Sequence, residues 1–237
     1  MLRAILFDFN GVIVDDEPLH LEMFQRVLAE EGISLSEEEY YEKYLGFDDR
    51  DCFVGALEAA GESADLGRVM RLITRKSAYY TEVIHRQGFP FFAGAVELVR
   101  EAAEAGLMLG IVSGALRDEV EGALEQAGLR PFFKLIVTAQ DVKKSKPDPE
   151  GYRQALEGLS SLPPLPGRLV HPHEVLVIED SPAGLEAARS LSLTTLAVGQ
   201  TYPMTELSLA DVFVESLAVV DLQRLRELYD GIGNARL

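Results

Sequence analysis

Four short stretches of this 237-residue chain hold residues whose types could do chemistry together. They are Asp8 in Ile5-Leu6-Phe7-Asp8-Phe9-Asn10-Gly11-Val12, Ser113 in Ile111-Val112-Ser113-Gly114, Lys146 in Lys144-Ser145-Lys146-Pro147, and Glu179-Asp180 after Val175–Ile178. Taken singly, each has a plain reading: an aspartate that starts a turn, a serine that caps a helix, a surface lysine. The acidic pair closing a buried apolar run is different, because adjacent buried carboxylates repel unless a cation or hydrogen-bond donors satisfy them. Three carboxylates, a hydroxyl and an ammonium suit a hard, oxygen-seeking cation such as Mg²⁺ that holds a phosphate. Asp8 could then act both as ligand and as nucleophile toward phosphorus, giving an aspartyl-phosphate. Lys146 and the metal would offset charge on the transferring group, and Ser113 would donate to its equatorial oxygens.

Such residues need elements that bring them to one place. Ala4–Phe7 is an apolar run without helical period, which predicts a buried strand that Asn10-Gly11 turns. Met108–Val112, Leu135–Val137, Val175–Ile178, Thr195–Val198 and Val212–Val214 read likewise as strands, with helices predicted over Ala95–Ala105, Arg117–Ala127, Pro149–Leu159, Pro182–Leu191 and Val219–Tyr229. Alternating strands and helices imply right-handed βαβ units and a parallel sheet covered on both faces. Each chemical residue then falls at the carboxyl end of a strand or in the loop after it, the edge where open α/β sheets bind ligands. Between the first strand and Gly88 the pattern is helical only: Leu19–Leu28, a helix capped by Ser36, and patterns about Asp51–Ala60 and Leu66–Ile84. The expected organisation is an α/β core of residues 1–14 and 92–237, a Rossmann-like doubly wound parallel sheet, with an inserted all-helical cap domain of residues 15–91.

Composition narrows the partners. A formal charge of −17 and a pI near 4.6 argue against nucleic acid or an anionic membrane surface. The single cysteine, Cys52, excludes an internal disulfide and fits a reducing cytoplasm. No secretory leader pattern opens the sequence and no apolar run approaches a membrane span, so a soluble cytoplasmic protein is expected. The partner expected is a small phosphorylated metabolite, and nothing in the sequence predicts a protein partner.

The four stretches, in their order and spacing, resemble the motifs of the haloacid dehalogenase superfamily, in the branch of β-phosphoglucomutase and phosphoglycolate phosphatase. LFDFNGV is similar to its first motif, IVSG to its second, KSKPDPEGY to its third and VIEDSPAG to its fourth. The resemblance covers essentially the whole chain and implies a Rossmann-like core, a mobile helical cap, Mg²⁺ dependence and phosphomonoester chemistry. It implies Asp8 as nucleophile, Ser113, Gly114 and Lys146 as phosphate-binding residues, and Asp8, Asp180, Glu179 and the main-chain carbonyl of Asn10 around the metal. The acidic pair speaks against the dehalogenase members, which use no metal. Asn10 departs from the pattern, since the phosphatases and mutases of the family usually carry an aspartate there as general acid and base. An amide donates a hydrogen bond but takes no proton, so help worth roughly 10²–10⁴ in rate is expected to be lost. A cap residue could stand in, with His20, Asp16 and Glu17 nearest in sequence. The protein could instead bind its ligand and turn it over slowly, or Asn10-Gly11 could deamidate.

Substrate choice is expected in the cap. His20 opens its first helix, and Arg50 in GFDDRDCF and Lys76 in TRKSAYY resemble basic positions by which relatives grip the substrate's far end. Against these stands the plain reading of solvated helix charges. His171 and His173, without a third ligand nearby, read as surface residues. Tyr40, Tyr41 and Tyr44 read as core and edge of a cap helix, and Cys52 as buried and inert. The sequence thus predicts a Mg²⁺-dependent phosphatase of a small phosphorylated metabolite, a sugar phosphate or phosphorylated acid. A phosphosugar mutase and a phosphometabolite-binding protein with weak catalysis are the alternatives.

Overall fold

A computed structural model describes residues 1–235, which fall into two compact units, residues 1–15 with 90–235 and Asp16–Phe89. The first unit is built on six strands, β1 (Ala4–Phe7), β2 (Met108–Val112), β3 (Phe133–Val137), β4 (Val175–Glu179), β5 (Thr194–Val198) and β6 (Val212–Val214), and its first two helices are α5 (Ala95–Glu104) and α6 (Arg117–Gln126). All neighbouring pairs are parallel and the order is β3-β2-β1-β4-β5-β6. The inner strands β1, β2 and β4 are apolar runs up to their last residues because helices cover both faces, whereas the edge strand β6 is half-buried. Ala4, Leu6, Val175, Val177, Leu135 and Val137 face one side, where Tyr152, Ala155 and Leu159 of α7 (Glu150–Ser161) and Ala187 and Ala188 of α8 (Pro182–Ser190) pack on them. Ile5 and Phe7 alternate to the other face, and the Phe7 ring meets Phe133 edge-on at 6.1 Å.

Chain order reverses about β1, so β2 lies on one side of it and β4 on the other, a switch point of the kind that opens a crevice at the strands' carboxyl ends. The last helix, α9, runs Leu222–Ala235 rather than starting at Val219. Residues 217–219 form a 3₁₀ turn, and the Asp221 carboxylate accepts from the Arg224 amide at 2.7 Å, which places the helix start after an acid that the apolar pattern alone ignores.

The second unit is helical: α1 (Glu17–Glu30), α2 (Glu37–Lys43), α3 (Asp49–Ala59) and α4 (Leu66–Gln87). Pro18 lies in the first turn of α1, and Ser36, Asp48 and Asp65 cap α2, α3 and α4 by accepting from the amides of Glu39, Asp51 and Arg68. Its core gathers Met23, Phe24, Tyr40, Phe53, Leu57, Leu72 and Tyr80, with the Phe24 ring 5.0 Å from Phe53 and 5.8 Å from Tyr40. Tyr40 and Tyr44 are buried and Tyr41 is exposed, as core and edge positions of one short helix. Cys52 is buried, and burial pushes its thiol up. No helix among the described residues is long and apolar enough to cross a membrane.

Candidate active site

Register builds the site. Phe7 pairs with Ile178, and the Asp8 amide donates to the Ile178 carbonyl at 2.9 Å, so Asp8 leaves β1 beside Glu179 and Asp180 leaving β4. One ligand oxygen from each of Asp8, Glu179 and Asp180 lies within 4.8 Å of the others, and all three residues are buried. Lys146 reaches in from the loop after β3, with Nζ 2.6 Å from Glu179 Oε1 and 3.0 Å from Asp8 Oδ1. Ser113 and Gly114 follow β2, where the Ser113 amide donates to Val137 and its buried hydroxyl accepts from the Ala115 amide at 3.0 Å. That turn leaves the hydroxyl hydrogen available as a donor.

The three carboxylates are not alike. Glu179 is saturated: Oε1 accepts from Lys146 and from the buried Tyr152 hydroxyl at 2.7 Å, and Oε2 from the amides of Asp180 and Ser181 and the Ser181 hydroxyl. A Cβ on Gly184 would fall 1.9 Å from Glu179 Oε1, so α8 begins against this carboxylate only because residue 184 is glycine. Asp8 Oδ1 accepts from the Phe9 amide at 2.8 Å and from Lys146. Asp180 Oδ1, by contrast, is buried and accepts nothing from the described residues. Burial, with the Glu179 charge, pushes Asp8 up to about 7 against the pull of Lys146, and burial with the charges of Asp8 and Glu179 raises Asp180. Burial works against the Lys146 ammonium, but Asp8 and Glu179 outweigh it and hold it protonated.

An orphaned acceptor among three oxygen ligands, with one lysine to offset them, fits a divalent cation of hard character. The Asn10 loop is shaped to the same place. Phe9's carbonyl accepts from the amides of Val12, Ile13 and Val14, and Gly11 takes φ +73°. A side chain there would fall 1.9 Å from Asp180 Oδ2 and 2.6 Å from Thr201 Oγ1, which is why glycine alone allows the approach. Gln200 after β5 donates to the Gly11 carbonyl at 2.8 Å and ties the loop down.

The structure therefore brings together Asp8, Lys146, Glu179 and Asp180, with Ser113 and Gly114 at the end of the adjacent strand and Asn10 in the loop over Asp180. In the helical unit His20 and Lys76 are buried and touch at 2.6 Å, whereas Arg50 is exposed. His171 and His173 are exposed and stack on each other at 5.5 Å. Sequence reasoning missed Tyr152, Ser181, Gln200 and Thr201. Tyr152 closes the stretch KSKPDPEGY three residues into a helix, a spacing that returns it beneath Lys146, but nothing in the sequence singles it out.

Residues 5–198 match the family described as haloacid dehalogenase-like hydrolase. The chain is 27% identical over 221 residues to validoxylamine A 7′-phosphate phosphatase of Streptomyces hygroscopicus subsp. limoneus, spanning 93% of this chain and 96% of that one. In structure it is similar to β-phosphoglucomutase from Clostridium difficile, with a TM-score of 0.84 at 22% identity over 98% of each chain. It is also similar to an aspartate-to-asparagine variant of CbbY from Rhodobacter sphaeroides in complex with xylulose-(1,5)-bisphosphate, with a TM-score of 0.83 at 26% identity over 95% of this chain and 99% of that one.

Proposed function

The chain belongs to the haloacid dehalogenase-like hydrolases, and from that premise we propose that it is a Mg²⁺-dependent phosphatase of a small phosphorylated metabolite, working through an aspartyl-phosphate on Asp8. The observation that carries the reading is Asp8 at the carboxyl end of β1, held by Lys146 at 3.0 Å beside the acidic pair with its orphaned Asp180 oxygen. Asp8 attacks phosphorus with a carboxylate oxygen, the bond from phosphorus to the ester oxygen breaks, and the departing oxygen takes up a proton. Water then attacks the same phosphorus, the bond to Asp8 breaks, and inorganic phosphate leaves with Asp8 restored. Lys146 faces negative charge in both steps, and the Ser113 hydroxyl and Gly114 amide donate to the phosphoryl oxygens. Mg²⁺ held by Asp8, Asp180 and the Asn10 carbonyl, with Glu179 directly or through water, would supply further charge neutralisation.

Proton transfer is the weak point of this site, because the Asn10 amide stands where a carboxyl group would give and take the proton. A second reading, a phosphometabolite-binding protein with slow catalysis, follows from that one residue. CbbY carrying an aspartate-to-asparagine change has xylulose-(1,5)-bisphosphate bound, which supports ligand retention in such a site. A mutase would need efficient proton transfer twice, so Asn10 weighs against it.

Phosphate release from a panel of phosphomonoesters, with and without Mg²⁺, tests the reading. Asn10→Asp is expected to raise kcat by roughly 10²–10⁴. Asp8→Asn is expected to lower it by more than about 10³-fold, because the nucleophile is lost. Full activity in Asp8→Asn would overturn the proposal. Turnover absent in the parent and present in Asn10→Asp would favour the binding protein.

A further inference from the structure

Asp180 has one oxygen without a donor, and what holds its other oxygen bears on which cation the core site takes. β5 pairs with β4 so that Ala197 lies beside Glu179, and the turn at residues 199–201 leaves the sheet at the same edge as the acidic pair. That turn is anchored on both sides. The Gly199 amide donates to the Val214 carbonyl at 2.9 Å, and Gln200 Nε2 donates to the Gly11 carbonyl at 2.8 Å. The next residue, half-buried Thr201, hydrogen-bonds the Asp180 carboxylate through its hydroxyl. Asp180 Oδ1 accepts nothing from the described residues, so that bond falls on Oδ2. Gly11 packs on the same oxygen, since a Cβ there would lie 1.9 Å from Asp180 Oδ2 and 2.6 Å from Thr201 Oγ1. The Gly11 amide donates to Val14 at 3.0 Å, and with the Gln200 bond this fixes the loop against Oδ2.

We propose that Thr201 determines which cation the site takes: by holding Oδ2 it leaves Asp180 a single oxygen to give, and so favours Mg²⁺ over Ca²⁺. The inference rests on the metal-dependent reading of the core site and adds how that site selects its ion. Ca²⁺ gathers about six to eight oxygens at about 2.3–2.6 Å and readily takes both oxygens of one carboxylate. Mg²⁺ holds an octahedron at about 2.0–2.1 Å, which a carboxylate enters through one oxygen. The neighbouring acids are restricted in the same way. Glu179 has both oxygens committed to protein donors, and Asp8 Oδ1 is committed to the Phe9 amide and Lys146. Carboxylates limited to single oxygens suit the small octahedral ion and leave the larger one short of ligands. Without the Thr201 hydroxyl, Asp180 Oδ2 loses its donor, and a cation gripped by both oxygens would satisfy it instead.

Titration calorimetry of the full chain with Mg²⁺ alone and with Ca²⁺ alone, without substrate, tests this. Thr201→Val keeps the branched shape and removes the hydroxyl. It is expected to shift the ratio of the two dissociation constants toward Ca²⁺ by roughly tenfold, the effect of one hydrogen bond to a charged group. Thr201→Ala should shift the ratio in the same direction, and Thr201→Ser, which retains a hydroxyl, should keep the wild-type ratio. A merely structural threonine would lower Tm without favouring either ion. An unchanged ratio in folded Thr201→Val and Thr201→Ala, or an equal weakening of both ions, therefore overturns the proposal. A shift of the same size in Thr201→Ser overturns it too. A wild type that binds neither ion, and releases phosphate equally with and without Mg²⁺, would sink the metal-dependent reading itself and this proposal with it.

Discussion

Lys146 is half-buried and Lys76 fully buried, and both touch carboxylates at hydrogen-bonding distance, yet they are held in different ways. Lys146 meets Asp8 and Glu179 where two hydrogen-bonded strands end, so the spacing of its partners follows from backbone register. Lys76 meets His20 and Asp49 across three helices, α1, α3 and α4, so its partners depend on how helix faces pack. Each cluster leaves one buried carboxylate oxygen without a hydrogen-bond donor among the described residues, Asp180 Oδ1 in the core and Asp49 Oδ2 among the helices. An ammonium set among carboxylates is thus no marker of one function; what it leaves unpaired decides.

The sharpest way to break this comparison is to remove each ammonium and ask whether a cation replaces it. Lys146→Met leaves the buried Asp8 and Glu179 without their cation, a loss of about 3–5 kcal/mol, and Lys76→Met leaves the half-buried Asp49 without its own, at the lower end of that range. At this chain length that is a fall in Tm on the order of 10 °C. Calorimetry with and without saturating Mg²⁺ should separate them. Mg²⁺ is expected to restore much of the stability of Lys146→Met, because binding to the folded state offsets the same carboxylates, and to leave Lys76→Met where it was. Equal rescue of both would mean that the helical cluster also binds the cation.

The same contrast explains what the sequence discloses. A strand end is legible because apolar runs stop abruptly and period 2 fixes which residue follows, so Asp8, Ser113, Lys146, Glu179 and Asp180 could be named together before any coordinate. Positions on helices are not fixed that way. Arg50 was the basic candidate on α3, but the residue that meets Lys76 is its neighbour Asp49. One position on a helix is a rotation of about 100°, enough to turn a contact into a solvated charge. Asp48 as the cap of α3 sets that rotation, and in DDRD three acids offered themselves for the role. Tyr152 was hidden for a related reason, since an apolar ring in a helix predicts core whether or not its hydroxyl has work.

Tyr152 therefore gives the next, smaller test. Its hydroxyl is one of five donors on Glu179, and Lys146 lies 5.4 Å from the centre of its ring. Tyr152→Phe keeps the packing and removes one hydrogen bond to a charged acceptor, an expected loss of about 1.5–3 kcal/mol by urea unfolding. If Glu179 is the anchor that fixes Lys146, the variant should also bind Mg²⁺ more weakly. Unchanged stability with weakened Mg²⁺ binding would make Tyr152 a positioning residue rather than a structural one.

The smallest effect lies at the far end of β4, where the comparison can be made along one strand. Glu179 ends β4 among the site residues; Glu174, just before it, is buried at the opposite edge. Glu174 accepts from Arg168 at 2.8 Å, Arg3 at 3.3 Å and the His171 amide at 3.1 Å. Arg168 above all, with the His171 amide and Arg3, pulls its carboxyl from the usual 4.5 down to about 2. A carboxyl depressed on folding contributes stability that is fully present above about pH 4.5 and is lost as pH falls through about 2. Arg168 is more than half exposed, so the contribution is discounted to about 1 kcal/mol. Glu174→Gln should therefore lower the urea midpoint at pH 7, and the gap to the wild type should close as the pH drops from 5 toward 2. At the other edge burial raises Asp8 instead of lowering it, so its ionisation opposes folding where that of Glu174 supports it. A gap that stayed constant with pH would mean that Glu174 acts by shape and not by charge. The two ends of β4 would then differ less than their ion pairs suggest.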